Sequence, residues 1–149
     1  MSRFENRAVI VTGAASGIGL ATAQRFGSEG ARVVIADRDL DHANAAVEEV
    51  KKAGAPDAWA CACDVSNEEQ VQACVASVLT RAGAVNVIVN NAGLMTFKAI
   101  TDLTAADWTR VLGVDLLGAF FFIKQAFQHM KRGSAVVNVA SIHAVETEP

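Results

Sequence analysis

Ala8-Val9-Ile10-Val11-Thr12-Gly13-Ala14-Ala15-Ser16-Gly17-Ile18-Gly19 runs from an apolar segment into a turn with three glycines and then into a helical pattern. It reads as a strand, a tight loop and a helix N-terminus. The first N–H groups of a helix have no internal partner and the macrodipole places partial positive charge there, so a glycine turn at that point admits a phosphate. Gly13, Gly17 and Gly19 are the residues that make room, with Ser16 and Ile18 between them. The same glycines would also serve a turn that needs only positive φ, and the remainder of the chain decides between the two.

Working outward, strands and helices alternate. Val9 to Thr12 is the first strand, and a helix follows from Gly17 to about Glu29 with Ile18, Ala21, Thr22 and Phe26 on one face. Arg32 to Asp37 is a second buried strand, and Leu40, Ala43, Val47 and Val50 mark an amphipathic helix that Gly54 and Pro56 end. Asp57 to Ala62 is a third strand. Ser66 with Glu69 forms a capping box for a helix whose inward stripe is Val71, Cys74, Val75 and Val78. Val85 to Val89 is a fourth strand, Thr104 caps a long helix from about Ala105 to Lys131, and Ser134 to Ala140 is a fifth strand.

This alternation implies right-handed crossovers and an α/β fold: a Rossmann-like doubly wound parallel sheet of five strands in a three-layer αβα arrangement. Residues 1–149 form one domain, with no repeat or low-complexity linker. The loops after the strands share the edge where such sheets bind ligands. The long helix carries Trp108, Val111 and Leu112 on one face and Leu116, Leu117, Phe120, Phe121, Phe122, Ile123 and Phe127 around the rest. A helix apolar nearly all round must be covered on more than one side, by a further element or another subunit.

Bulk properties agree. The chain has 149 residues, 52% hydrophobic composition, a net charge of −3 and a mean hydropathy of +0.28. That is rich in apolar residues, as parallel strands buried on both faces require. The acidic balance, with a pI of about 5.5, gives no nucleic-acid footprint. No uninterrupted apolar run reaches the roughly 18 residues of a membrane span, and no room is left for a signal peptide before the first strand. A cytoplasmic location with no membrane partner is expected. Three cysteines fit a reducing compartment; Cys61 and Cys63 lack a second Cys/His pair at metal spacing and read as small core residues, so no metal is expected. His42 and His129 read as surface residues on helices.

Asp37 lies 18 residues beyond Gly19, at the end of the second strand. A carboxylate there accepts both ribose hydroxyls of an adenosine and repels a 2′-phosphate. Two independent features now fit one ligand, a dinucleotide. Arg38 next door is able to accept a 2′-phosphate by moving, but Asp37 and the non-basic Ser16 favour NAD over NADP.

With these residues in place, the sequence resembles the short-chain dehydrogenase/reductase family over its whole length. Thr12 to Gly19 matches the family's TGxxxGIG, Asn90-Asn91-Ala92-Gly93 its NNAG, and Asp64-Val65 the pair that usually holds the adenine. The resemblance implies that Asn90 ties the central strands together and that Asn91, Ala92 and Gly93 line the cofactor cleft. It also implies hydride transfer between a nicotinamide and a small-molecule alcohol or carbonyl substrate. It assigns Ser141 to the serine that hydrogen-bonds the substrate oxygen. Asp115 falls where the family generally has an asparagine supporting a proton-relay water, on the same inward face as Trp108; a carboxylate there accepts but does not donate. Homo-oligomers, dimers or tetramers, are the family habit, formed partly through the helix containing Asp115.

The family's general acid/base is a tyrosine about a dozen residues beyond the serine, with a lysine four residues further. This chain contains no tyrosine and its last lysine is Lys131. Two readings compete: the N-terminal part of a longer dehydrogenase, which the bare face of the long helix favours, or a non-catalytic NAD-binding module. Residues 141–149 resemble the matching segment of bacterial glucose dehydrogenases, with His143, Glu146 and Glu148 placed to hydrogen-bond a sugar or polyol. A 3-oxoacyl reductase-like member of the family is the alternative substrate class.

Overall fold

Successive side chains of a strand point to opposite faces, so a strand covered on both sides is apolar at every position. Ala8–Thr12 (β1) is such a strand, and all five of its residues are buried. The computed structural model, which describes residues 2–141, sorts the alternating side chains into two cores. Val9, Val11, Val33 and Ile35 face one side with Ala43, Val47 and Val50; Ile10, Val34 and Ile88 face the other with Val71, Cys74, Val75, Val78 and Phe122.

The strands are β1, Arg32–Asp37 (β2), Asp57–Ala62 (β3), Val87–Asn90 (β4) and Ala135–Asn138 (β5). All pairs are parallel, in the order β3-β2-β1-β4-β5. The chain moves outward from β1 to β3, then returns to place β4 on the other side of β1. That reversal opens a crevice at the C-terminal ends of β1 and β4. The expected α/β architecture is the one observed, with β4 and β5 shorter than their apolar runs.

The helices are Gly17–Ser28 (α1), Leu40–Lys52 (α2), Glu68–Ala82 (α3), Ala105–Leu112 (α4) and Gly118–Ala126 (α5). The inward stripe of α3 is the expected one. That of α1 is not: Gly19, Ala23 and Gly27 are buried, while Ile18 is 69% exposed. Small residues bring this helix close to the sheet, and a Cβ on Gly19 would lie 2.3 Å from the Gly13 carbonyl oxygen. In α2 it is Ala46 that is buried, not Leu40.

The cap of α3 also differs from expectation. Asn67 accepts from the Gln70 N–H at 3.1 Å, and Ser66 instead donates its hydroxyl to Asp64 Oδ1 at 2.7 Å. Asp64 and Ser66 close a turn of their own, leaving the next residue to cap. At α4, Thr104 and Asp107 form a full capping box.

Between α4 and α5 the helix widens into one π turn, Gly113–Leu117, so the continuous run Ala105–His129 is not one regular α-helix. Its length and mean hydropathy, 1.3 over the best 18-residue window, are those of a membrane span by composition alone, although no uninterrupted apolar run signals it. Here it packs as a layer helix: Phe122 and Ala126 are buried in the core, and Gly113 and Gly118 let it approach the β3–α3 loop, with a Gly118 Cβ position 2.8 Å from Val65. Its other face, with Trp108, Leu112, Leu116, Phe120 and Phe127, is exposed, as are Val136 and Val137 of β5. Trp108 and Asp115 therefore do not face inward as expected; the buried carboxylate of this helix is Asp107.

Asp107 accepts from Lys98 Nζ at 2.8 Å and from the Thr104 hydroxyl at 2.7 Å. The Lys98 ammonium, then the Thr104 donors, hold its carboxyl below the usual range. A depressed carboxylate contributes stability above its unfolded pKa of about 3.9 and loses it as pH falls through the lower folded value. Urea midpoints of the wild type should therefore fall on acidification below about pH 4, whereas Asp107→Asn starts lower at neutral pH and falls less.

Candidate functional site

The crevice is a cleft of about 600 Å³ at the ends of β1, β2 and β4. It is lined on one side by Gly13, Ser16, Gly17 and Ile18, beyond β2 by Asp37 and Arg38, at the β3–α3 loop by Asp64 and Val65, and after β4 by Asn91, Ala92 and Gly93. Cavities of this size hold small-molecule ligands. Gly19 is buried behind this lining. Cys63, Ser66, Leu94, Arg110 and Val114 also line the cleft and were not picked out from the sequence; the four-residue spacing of Arg110 and Val114, placing both on one helix face, was the available signal.

Local geometry explains the shape. Gly13 and Gly17 have φ of +60° and +57°, the left-handed region that a residue with a Cβ enters at a cost. Gly13 also abuts β4's continuation, where a Cβ would lie 2.9 Å from Ala92 Cα. Gly17 meets nothing within 4 Å and faces open space. The Thr12 hydroxyl accepts the backbone N–H groups of both Asn91 and Ala92 at 2.9 Å. The Asn91 carboxamide donates to the carbonyls of Thr12 and Gly13 at 2.9 and 3.2 Å. Asn90 donates from Nδ2 to Asn138 Oδ1 at 2.8 Å, joining β4 to β5.

The helix termini differ in a way that bears on ligands. Side chains cap α2, α3 and α4, through Asp39, Asn67 and Thr104. Ser16, at the N-cap of α1, makes no cap hydrogen bond, and the first turn carries no acidic residue. The first N–H groups of α1 therefore meet the cleft with their donors and partial positive charge uncompensated by side chains.

Asp37 stands across the turn. Its Oδ2 accepts from the Ala15 N–H and its Oδ1 from the Asp39 N–H, both at 3.1 Å. Each carboxylate oxygen has a second lone pair for a ribose hydroxyl. At the far wall Asp64 Oδ1 accepts from the backbone and hydroxyl of Ser66 at 2.9 and 2.7 Å. The donor set and the glycine cradle fit a dinucleotide: an N-terminal nest for phosphates, a carboxylate for ribose and an apolar wall at Val65.

The remaining expected site residues lie outside this lining. Asp115 is exposed at the π turn, and its Oδ1 accepts from the Leu94 N–H at 2.8 Å. It borders a second, apolar cavity of about 320 Å³ with Leu94, Met95, Trp108 and Val111. Its expected burial is thus replaced by a backbone contact that fixes the loop after Gly93. Ser141 follows β5, three residues beyond Asn138. His143, Glu146 and Glu148 lie outside the described residues. Among the described residues no group of His, Cys, Asp and Glu side chains is placed to hold a metal.

The fold and this cleft define a dinucleotide-binding α/β protein of the Rossmann type. The short chain dehydrogenase family matches residues 7–149, and the chain belongs to it. A 3beta-hydroxysteroid dehydrogenase of Mediterraneibacter gnavus is 36% identical over 151 residues, covering 100% of this chain and 54% of the relative. A sorbitol dehydrogenase of Cereibacter sphaeroides is 34% identical over 142 residues, covering 93% and 54% respectively. Among solved structures, a short-chain dehydrogenase/reductase from Burkholderia xenovorans superposes with a TM-score of 0.89 at 34% identity, covering 99% of this chain and 61% of that one. A metagenomic short-chain oxidoreductase in complex with NADP superposes with a TM-score of 0.80 at 33% identity, covering 85% of this chain and 57% of that one. The chain spans about half the length of the curated relatives it matches.

The Asn91 bridge generates a direct test. Asn91→Ala removes both donors to the Thr12 and Gly13 carbonyls and should lower stability by about 1–3 kcal/mol, read by urea unfolding. The same variant should lose dinucleotide affinity, because the turn it releases forms one wall of the cleft.

Proposed function

We propose that this chain holds NAD and forms the cofactor-binding part of an oxidoreductase that transfers a hydride between the nicotinamide and an alcohol or carbonyl carbon. The observation that carries the reading is the juxtaposition of the uncapped α1 N-terminus with the Asp37 carboxylate across one cleft. In this reading the N–H groups at Gly17 to Gly19 take the pyrophosphate, Asp37 takes the adenosine ribose, and Asp64 and Val65 flank the adenine. Asn91, Ala92 and Gly93 line the inner wall. The bound dinucleotide supplies the hydride chemistry; the protein supplies orientation and proton handling.

Ser141 donates a hydrogen bond to the substrate oxygen and steadies its developing charge. Asp115 holds the Leu94 backbone and offers its second oxygen to a donor water on the relay route. The tyrosine and lysine acid/base pair is assigned to sequence outside these residues. A sugar or polyol is the substrate class supported by the sorbitol dehydrogenase relative and by His143 in the sequence. Homo-oligomers and a cytoplasmic setting belong to the same proposal.

NAD is favoured over NADP because a 2′-phosphate would be set against Asp37. Arg38 lines the cleft beside it and is the residue through which NADP would bind if the carboxylate were removed. Asp37→Ala should weaken NAD binding and shift the NAD to NADP affinity ratio by about tenfold or more towards NADP, measured by calorimetric titration. An unchanged ratio would contradict the assignment.

A further inference from the structure

Asp37, Arg38, Asp64 and Arg110 are the charged side chains that line the cleft, and the proposed cofactor contacts use all but the last. Arg110 sits in the last turn of α4, and Val114 follows it one turn later on the same face. Between them Gly113 brings that face against the β3–α3 loop, its Cβ position 3.4 Å from Ser66 Cβ. Arg110 therefore belongs to the wall of Asp64 and Val65, and not to the glycine turn at the start of α1.

Its contacts within the chain leave the guanidinium available. Arg110 Nη2 donates to Thr96 Oγ1 at 3.4 Å, long for an N–H···O bond, and stands 3.8 Å from Asp107 Oδ1. Asp107 is already engaged by better donors: Lys98 Nζ reaches its two oxygens at 3.0 and 2.8 Å, and the Thr104 hydroxyl and backbone N–H reach Oδ2 at 2.7 and 3.0 Å. A guanidinium carries five N–H donors in one plane, and among the described contacts most of those of Arg110 are left for a ligand. The side chain is 58% exposed on the cleft side of a helix whose position is fixed by the Gly113 and Gly118 contacts.

We propose that Arg110 stacks its guanidinium on the adenine of the bound dinucleotide and so selects a purine at that end of the cleft; this rests on the reading of the cleft given above. A guanidinium is planar, delocalised and weakly hydrated, and it lies on aromatic faces in a way that a lysine ammonium does not. The pyrophosphate belongs to the N–H groups of α1 and the ribose to Asp37, which leaves the base as the part of the ligand nearest the Asp64 and Val65 wall. Val65 gives that base an apolar contact, and Arg110 gives it a cationic plane from the neighbouring helix. A purine offers the larger face to such a plane, and a pyrimidine on the same ribose and phosphates gains less from it.

The test titrates the full-length protein calorimetrically with NAD and with nicotinamide cytosine dinucleotide, which carries the same charges and a smaller base. Arg110→Ala should raise the NAD Kd about fivefold and that of the cytosine dinucleotide by less than about twofold. Arg110→Lys keeps the charge and loses the plane, so its NAD Kd should stay within about twofold of the alanine variant's. Should the alanine variant fail to fold, the lysine variant against wild type gives the same comparison. An unchanged NAD Kd, an equal loss with both dinucleotides, or full recovery by lysine would each overturn the proposal, the last two by assigning Arg110 to the phosphate charge. A wild type that binds neither dinucleotide would refute the cleft reading itself, whereas NAD binding that is indifferent to Arg110 refutes this proposal alone.

Discussion

The rest of the site depends on the hydrogen bonds between Thr12, Gly13 and the Asn91–Ala92 segment. The Thr12 hydroxyl accepts two backbone N–H groups and the Asn91 carboxamide returns two bonds to the carbonyls of Thr12 and Gly13. These groups lie where β1 and β4 end and the chain diverges to opposite sides, so ladder hydrogen bonds cannot satisfy them. Leaving such polar groups unpaired costs about 1–3 kcal/mol each, and the side chains that pair them also set the separation of the crevice walls. A Cβ on Gly13 or Gly19 would intrude into this same contact. The glycine turn is thus held from behind as well as open in front.

From that junction the layers take their positions. The small stripe of α1 lets its N-terminus sit against the turn, and the missing side-chain cap leaves its donors facing the cleft. On the opposite wall, Gly113 and Gly118 let the long helix press against the β3–α3 loop.

Much of this was legible in the sequence because parallel strands leave continuous apolar runs and crossover helices leave a period. Val71, Cys74, Val75 and Val78 illustrate the case, since both neighbours of α3 are within the described structure. Reading failed where glycine or a turn replaced a periodic apolar residue. In α1, Gly19 and Gly27 are buried by close approach, which hydrophobicity does not register. Asn67 caps because Asp64 and Ser66 first close their own turn. Trp108, in α4 before the π turn, and Asp115, within it, are both exposed, so an apolar stripe on the long helix reads as inward where no described element covers it. The motif residues fell together because Thr12 to Gly19, Asp37, Asp64-Val65 and Asn91 to Gly93 all end parallel strands or begin the loops after them; Ser141 and Asp115 belong to the less enclosed side of the sheet.

The central claim is that the uncapped start of α1 and the Asp37 carboxylate grip two parts of one dinucleotide. A crystal structure of the protein soaked with NAD tests it most directly. The account predicts the pyrophosphate within hydrogen-bonding distance of the backbone N–H groups at Gly17 to Gly19 and the adenosine ribose hydroxyls on Asp37. A dinucleotide bound elsewhere, or bound here with its phosphates away from α1, would contradict it.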